Sequence, residues 1–329
     1  MEKLGVALVG LGKYSEEQLA PALLATTKCR LTGVVTGNTG KAAEWEKKYN
    51  IPAKSIYDYE NFDSIKDNPD VDIVYIVLPN SMHAEYTIRA AKAGKHVICE
   101  KPMANTVEEC DAMIAACRDA GKMLSIGYRL HFEPYNIEMM RLGREKAFGT
   151  IKKIIAAHGL ANTEGWRLDK TLAGGGPLMD VGIYCVQACI YATGMQPVAV
   201  RAQEGKKTDA DKFKRIEESM QFQLEFPGGM IAECSCSYSK KENFFRAEAE
   251  DGWVELSPAY AFTGIKGRTS EAEMRLPQVV QQALQMDGFA EAIINKIPDR
   301  VPGEMGRKDV KILQAIYLAM ETGQRIDIS

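Results

Sequence analysis

Short apolar runs alternate with longer mixed segments through the first 125 or so residues, and few folds admit that alternation. Gly5–Val9, Leu31–Val35, Asp72–Val77, Lys95–Cys99 and Met123–Ile126 have the length of strands and are too short for buried helices. The stretches 15–26, 41–49, 82–93 and 106–120 have helical length. Ser15 is placed to cap the first, and Gly94 and Gly121 close the last two. Continuous apolar strands belong in a sheet covered on both faces, and the intervening helices supply the cover. The expectation is a doubly wound parallel sheet over residues 1–125.

After Gly127 the texture changes. Helices are expected over 132–145, 179–192, 277–295 and 306–321, and an irregular stretch over 165–176. Strands are expected over 150–158, 219–226, 230–238, 244–250 and 252–256, with hairpin turns at Pro227-Gly228-Gly229 and Asp251-Gly252. This reads as an α+β domain over 126–329, built on one large, mainly antiparallel open sheet. The boundary rests on the change of pattern alone. A broad apolar outer face on that sheet would need covering.

Composition narrows the partners. The 329 residues are 46% apolar, enough for two cores at roughly 150 residues per domain. A net charge of −3 with no block of like charges argues against nucleic acid or an anionic membrane. No apolar run approaches the length of a membrane span. Met1-Glu2-Lys3 leads straight into the first strand without a signal peptide, so a cytoplasmic location is expected. The 8 cysteines form no C-x-x-C pair and read as reduced buried thiols, with no metal centre.

The chemistry gathers at strand ends, because ligands of open α/β sheets bind outside the carboxyl ends of the strands. Gly10-Leu11-Gly12-Lys13-Tyr14-Ser15 follows the first strand and opens the first helix. This is the dinucleotide fingerprint with Ser15 in place of the third glycine. The first two glycines permit a tight turn against a pyrophosphate, while the third serves packing. No acid occurs from 31 to 43, where an NAD-preferring site places one for the ribose 2′-hydroxyl. Thr36, Asn38 and Lys41 instead offer donors suited to a 2′-phosphate, so NADP is favoured over NAD. Leu78-Pro79-Asn80 and His83 follow another strand end, beside the nicotinamide half. His83 is a candidate base, although such a histidine more often serves a helix terminus.

Two constellations carry reactive groups. Glu100-Lys101-Pro102 sets an ammonium at the end of an apolar strand, which is costly unless the charge is used. Gly174-Gly175-Gly176 precedes Asp180 and Tyr184, whose i, i+4 spacing puts them on one helix face. The glycines would let backbone approach a bound ring closely. A phenol titrates near pH 10, and a nearby ammonium favours the phenolate. Lys101 supplies that charge if the two domains face each other across a cleft.

These residues resemble the Gfo/Idh/MocA family of oxidoreductases over nearly the whole chain, and within it the glucose–fructose oxidoreductase branch. The likeness rests on Gly10–Tyr14, Val35–Asn38, Ile56–Phe62, Leu78–Glu85, Ala93–Ala104, Gly127–Pro134, Trp166–Leu168 and Leu172–Tyr184. The resemblance implies a Rossmann domain followed by a substrate and oligomerisation domain, and hydride transfer between a nicotinamide and carbon 1 of an aldose or related cyclic polyol. It makes Lys101, Asp180 and Tyr184 the catalytic residues. It assigns cofactor contacts to Gly10, Leu11, Gly12, Lys13, Tyr14, Thr36, Gly37, Asn38, Lys41, Tyr59, Leu78, Pro79, Asn80, His83, Glu100, Arg129, Trp166 and Arg167. Arg129 and Tyr260 join the catalytic residues on the substrate. Tyrosine at 184, where many members carry histidine, points toward sugars. Homodimers or homotetramers through the large sheet are also implied. The exported relative has an N-terminal arm that retains its NADP; with three residues before the first strand, neither arm nor export is expected here. Sugar-to-sugar oxidoreduction with retained NADP is one alternative. A non-catalytic NADP-binding regulator is another, and the joint presence of Lys101, Asp180 and Tyr184 speaks against it.

Overall fold

The computed structural model describes residues 3–328. Met1 and Glu2, read above as leading into the first strand, and Ser329 lie outside them. The chain forms two compact units, one of Met1–His131 with Val280–Arg307 and one of Phe132–Val279 with Lys308–Ser329.

The first unit contains β1 (Leu4–Val9), β2 (Cys29–Val35), β3 (Ile56–Tyr57), β4 (Ile73–Ile76), β5 (His96–Cys99) and β6 (Leu124–Ile126). They form one sheet in the order β3-β2-β1-β4-β5-β6, every pair parallel. Strand order reverses between β1 and β4, so their carboxyl ends make the switch point where ligands of such sheets bind. All of β4 is buried, as the continuous apolar run requires when helices cover both faces. The two-residue β3 is too short to show any periodicity in the sequence.

Residues 280–307 complete this unit. In the helix Gln281–Asn295, Met286, Phe289 and Ala290 share one apolar cluster with Leu8, Leu19, Leu23, Trp45 and Tyr75. The Asp287 carboxylate fixes the helix by accepting from the N–H groups of Thr27 and Lys28, each at 2.8 Å. Further on, the Val301 carbonyl accepts from the Ile126 N–H at 2.9 Å, covering the free edge of β6.

The first helix departs from expectation. Lys13 and Tyr14 are already helical, and Ser15–Leu19 forms a π-turn ahead of the α-helix Ala20–Ala25. Pro21 lacks an N–H and its ring crowds the carbonyl four residues back, so a wider turn accommodates it. Ser15 does not cap; its hydroxyl donates to the Gly10 carbonyl at 2.6 Å.

The second unit contains β7 (Ile151–Gly159), β8 (Ala199–Glu204), β9 (Ser219–Glu225), β10 (Ile231–Ser237), β11 (Glu242–Ala249), β12 (Trp253–Leu256), β13 (Gly267–Thr269) and β14 (Ile326–Asp327). The sheet order is β13-β12-β11-β7-β10-β9-β8-β14, antiparallel except for the β7–β10 pair. Both expected hairpins form, at 227–229 and at 251–252. Alternation turns Met220, Phe222, Leu224, Ala232, Cys234 and Cys236 inward. The helix Ile183–Thr193 packs on that face, where the Cys189 and Cys234 sulfurs lie 3.8 Å apart. The outer face carries Lys153, Arg201, Gln221, Gln223, Glu233 and Ser235, and Lys153 pairs with Glu233 at 2.8 Å. The outward positions of β8, β9 and β10 are mostly polar, while Ile151, Ile155 and Ala157 of β7 and Phe244 of β11 on the same face are apolar and partly exposed, so the face is mixed. The irregular stretch 165–176 contains short helical turns at Gly165–Leu168 and Lys170–Ala173. Among the described residues, no helix is long and apolar enough to cross a membrane and no group of three or more His, Cys, Asp or Glu is arranged to hold a metal ion. All eight cysteines are buried.

β5, which leads to Lys101, carries a pH-sensitive contact. His96 Nδ1 accepts from the Met123 N–H at 3.1 Å and must be neutral to do so. Burial, then the Lys122 charge, lowers its pKa to about 4. The folded value lies below the unfolded one, so this contribution is full above about pH 6.5 and is lost as pH falls through about 4. Chemical denaturation of wild type and His96→Asn, which keeps an acceptor but does not titrate, should show wild type losing about 1–3 kcal/mol more between pH 7 and 4. Parallel curves for the two proteins would rule the contact out as the titrating group.

Candidate functional site

In the first unit, the groups expected around a nucleotide gather at the switch point. Gly10 has φ +94°, and a Cβ there would lie 2.5 Å from the Val77 carbonyl oxygen. The turn after β1 thus passes close under the end of β4, which only glycine allows. At Gly12 a Cβ would meet nothing within 4 Å. That open space beside exposed backbone suits a diphosphate.

The donors expected for a 2′-phosphate lie beside this turn. Lys41 Nζ donates to the Leu11 carbonyl at 2.8 Å. Asn38 Oδ1 caps the helix Thr39–Tyr49 by accepting from the Lys41 N–H at 2.9 Å. The buried Thr36 hydroxyl accepts from the Asn38 N–H at 3.2 Å. Gly37 lies against the Tyr59 ring, whose backbone carbonyl accepts from Arg89. Leu11 is buried, Tyr14 packs on the apolar cluster, and exposed Lys13 pairs with Glu17 at 3.8 Å. These residues fit an NADP molecule at its adenosine end and diphosphate.

The loops after β4 and β5 are tied together. His83 is 1% exposed, with Nε2 at 2.9 Å from the Leu78 carbonyl and Nδ1 at 2.9 Å from that of Pro102. Burial lowers its pKa despite these bonds. A carbonyl faces each ring nitrogen and the neutral ring can donate to one of them, so His83 sits between the two loops as a tie. Leu78 and Asn80 are buried beside it, with Pro79 between them. Glu100 is turned inward, where its carboxylate accepts from the Tyr75 hydroxyl at 2.8 Å and from the Lys101 N–H at 3.3 Å. Burial raises its pKa. Lys101 follows directly, half-buried, on a cis peptide to Pro102. Buried Arg129 donates to the Gln281 side chain.

In the second unit, Asp180 lies in a π-turn, Leu178–Gly182, that runs into the helix bearing Tyr184. The Asp180 carboxylate accepts from Arg167 Nε at 2.9 Å and from the Tyr238 hydroxyl at 3.1 Å. Arg167 also stacks on Trp166, 4.8 Å from the ring centre. Asp180 in turn raises the Arg167 pKa, while burial and then Asp180 hold Tyr238 well above the usual phenol range. The Tyr184 ring meets His158 edge-on at 5.1 Å and Tyr260 at 5.8 Å. Tyr260 is 2% exposed, and its hydroxyl donates to the Phe244 carbonyl at 3.3 Å. Asp180 thus has an oriented carboxylate, and Tyr184 a rigid aromatic setting. His158 and Tyr238 were not singled out from sequence. Tyr238 ends an expected strand on its inward face, and a buried tyrosine needs a partner for its hydroxyl, which was the available signal.

Residues 4–128 match the GFO/IDH/MocA oxidoreductase family, NAD-binding Rossmann fold, and residues 137–267 match its C-terminal domain. The crystal structure of aldose-aldose oxidoreductase from Caulobacter crescentus is similar with a TM-score of 0.96 and 42% identity, covering 99% of this chain and 100% of that one. D-xylose 1-dehydrogenase [NADP(+)] of Haloarcula marismortui is 29% identical over 96% of this chain and 91% of its own. 1,5-anhydro-D-fructose reductase of Ensifer adhaerens is 27% identical, covering 98% of this chain and 97% of its own.

Ser15→Gly restores the third fingerprint glycine and removes the bond to the Gly10 carbonyl. It should cost about 1–2 kcal/mol of stability in denaturant titration. Calorimetric NADP affinity should stay within about threefold, since that position serves packing. A larger loss of affinity would show that the hydroxyl contributes to binding.

Proposed function

Because the chain belongs to the GFO/IDH/MocA family of oxidoreductases, we propose that it is an NADP-dependent enzyme acting at carbon 1 of an aldose or related cyclic sugar. The observation that carries the substrate class is the 42% identity to an aldose-aldose oxidoreductase along essentially the whole of both chains. NADP is supported by Thr36, Asn38 and Lys41 in place of an acid, and by the name of the xylose dehydrogenase relative.

NADP, when bound, supplies the hydride chemistry at the sugar carbon. The turn Gly10–Gly12 would carry its diphosphate, and Thr36, Asn38 and Lys41 its 2′-phosphate. Tyr184 takes the proton of the carbon 1 hydroxyl in oxidation and returns it in reduction. Lys101 donates to the sugar oxygen and orients it. Asp180 accepts from a neighbouring sugar hydroxyl, and Arg167 and Tyr238 fix the direction in which its carboxylate points. We extend the proposal to a homodimer or homotetramer through the large sheet. The mixed outer face offers both apolar and hydrogen-bonding contacts for such an interface.

A second reading is favoured by the same 42% relative: one aldose is oxidised to a lactone and a second is reduced to its alditol, with NADP retained. A panel of aldoses, inositols and ketoses, incubated with and without added NADP(H) or NAD(H), separates the readings. Equal amounts of oxidised and reduced sugar without added cofactor would support exchange. Product formation that scales with added NADP supports a dehydrogenase. No turnover with any sugar despite tight NADP binding supports the regulator.

In the active assay, Lys101→Ala should lower kcat by about 10²-fold or more while NADP affinity stays within a few-fold. Near-native turnover would remove Lys101 from the chemistry. Lys41→Ala should raise the NADP KM by about tenfold and leave that for NAD unchanged, at roughly 1.4 kcal/mol for a charge-assisted contact.

A further inference from the structure

The segment Gly174-Gly175-Gly176-Pro177 cannot cap the helical run that it opens. Pro177 has no N–H, the glycines have no side chains, and no side-chain cap bond forms at the start of Leu178–Gly182. The first N–H groups of a helix need an acceptor from elsewhere. It comes from Glu217, two residues ahead of β9. Its carboxylate accepts from the Gly176 N–H at 3.0 Å to each oxygen and from the Leu178 N–H at 3.2 Å. The Tyr317 hydroxyl donates to the same carboxylate at 2.8 Å. Glu217 is 5% exposed, so these bonds are formed out of water. A negative charge at this end of a helix is also favoured by the aligned peptide dipoles.

The glycines are what this socket requires. A Cβ on Gly175 would lie 1.9 Å from the Tyr317 hydroxyl oxygen, and one on Gly176 would lie 2.5 Å from the Glu217 carbonyl oxygen. The clash at Gly176 is with backbone, which no rotamer change relieves; the one at Gly175 would displace the phenol that donates to Glu217. The run reads as a seat for a carboxylate and a phenol, where the sequence suggested close approach to a bound ring.

Asp180 lies two residues beyond Leu178, and Tyr184 six. We propose that Glu217 is a positioning residue: by holding the 176–178 backbone it sets where Asp180 and Tyr184 stand, with Tyr317 fixing the carboxylate. The kinetic consequence rests on the proposed role of those two residues in aldose oxidoreduction. Glu217→Gln keeps the volume but turns one accepting oxygen into an amide NH2 that faces the same donors. Tyr317→Phe removes only the phenolic donor and is the milder variant.

Both should be purified as full chains and compared with wild type by steady-state kinetics, NADP calorimetry and amide hydrogen exchange. For Glu217→Gln, kcat with aldose should fall about tenfold or more, the sugar KM should rise, and NADP affinity should stay within about twofold. Exchange over 176–184 should quicken about tenfold while β7 and β10 keep their protection. Tyr317→Phe should show the same pattern at about two- to fivefold. A lower melting temperature with native kcat in the folded fraction would overturn the proposal, since a purely structural role gives that result. If wild type turns over no aldose, the functional reading fails by itself. The exchange experiment then still decides: faster exchange confined to 176–184 upholds the hold of Glu217 on the segment, and unchanged exchange overturns it.

Discussion

A loop that presents a reactive side chain spends its backbone on an irregular path, and its amide groups then need acceptors that regular structure would have provided. In this protein buried or half-buried carboxylates are those acceptors. Glu217 receives the Gly176 and Leu178 amides ahead of Asp180. Glu100 receives the Lys101 amide and the Tyr75 hydroxyl. Asp287 receives the amides of Thr27 and Lys28 that lead into β2. A carboxylate suits the task because it accepts several bonds at once and each is stronger for the charge. Burying it raises the pKa of Glu100 and Glu217, so the hydrogen bonds must be good enough to keep the charge in place.

The sequence shows the parallel sheet because strands buried on both faces have no polar alternation to blur them. It shows the hairpins of the second sheet because Pro227-Gly228-Gly229 and Asp251-Gly252 punctuate the pattern. The place of residues 280–307 is not legible. Met286, Phe289 and Ala290 would suit any apolar core, and the bonds that fix the helix join Asp287 to residues about 260 positions away. β3 is hidden by its length. The mixed outer face of the large sheet is not legible either, because strand propensity reports pairing and burial of one face only, while Gln221, Gln223 and Glu233 stand beside Ile155 and Phe244 on the other.

The candidate site was legible where one residue type has a restricted use: the Gly10–Gly12 turn, the missing acid after β2, the lysine after β5. It was less so where a side chain serves another side chain. Arg167, expected along a cleft, is turned onto Asp180, and Tyr238 meets the same oxygen. Histidine at 83 suggested proton chemistry, but its surroundings are two backbone carbonyls. These partners lie 5, 13, 19 and 58 residues away, at no helix or strand period, so spacing carried no signal.

Glu217 has a neighbour with the opposite assignment. The Glu218 carboxylate accepts from the Thr208 amide and hydroxyl, each at 2.6 Å. Burial raises its pKa, but hydrogen bonds from Ser239, Thr208 and Asp209 outweigh it and hold it at about 2. Consecutive residues entering a strand point to opposite sides. One dipeptide therefore anchors two unrelated loops, the glycine run and the lysine-rich stretch after Gly205. A one-residue slip at this point would leave one of the two anchors to Ile216 or Ser219, neither of which carries a carboxylate. Between Thr208 and the dipeptide, Asp209 closes a turn by accepting from the N–H groups of Lys212 and Phe213, and Phe213 is buried with Ile216 and Tyr238. An insertion or deletion anywhere from Thr208 to Glu218 therefore breaks at least one of these contacts.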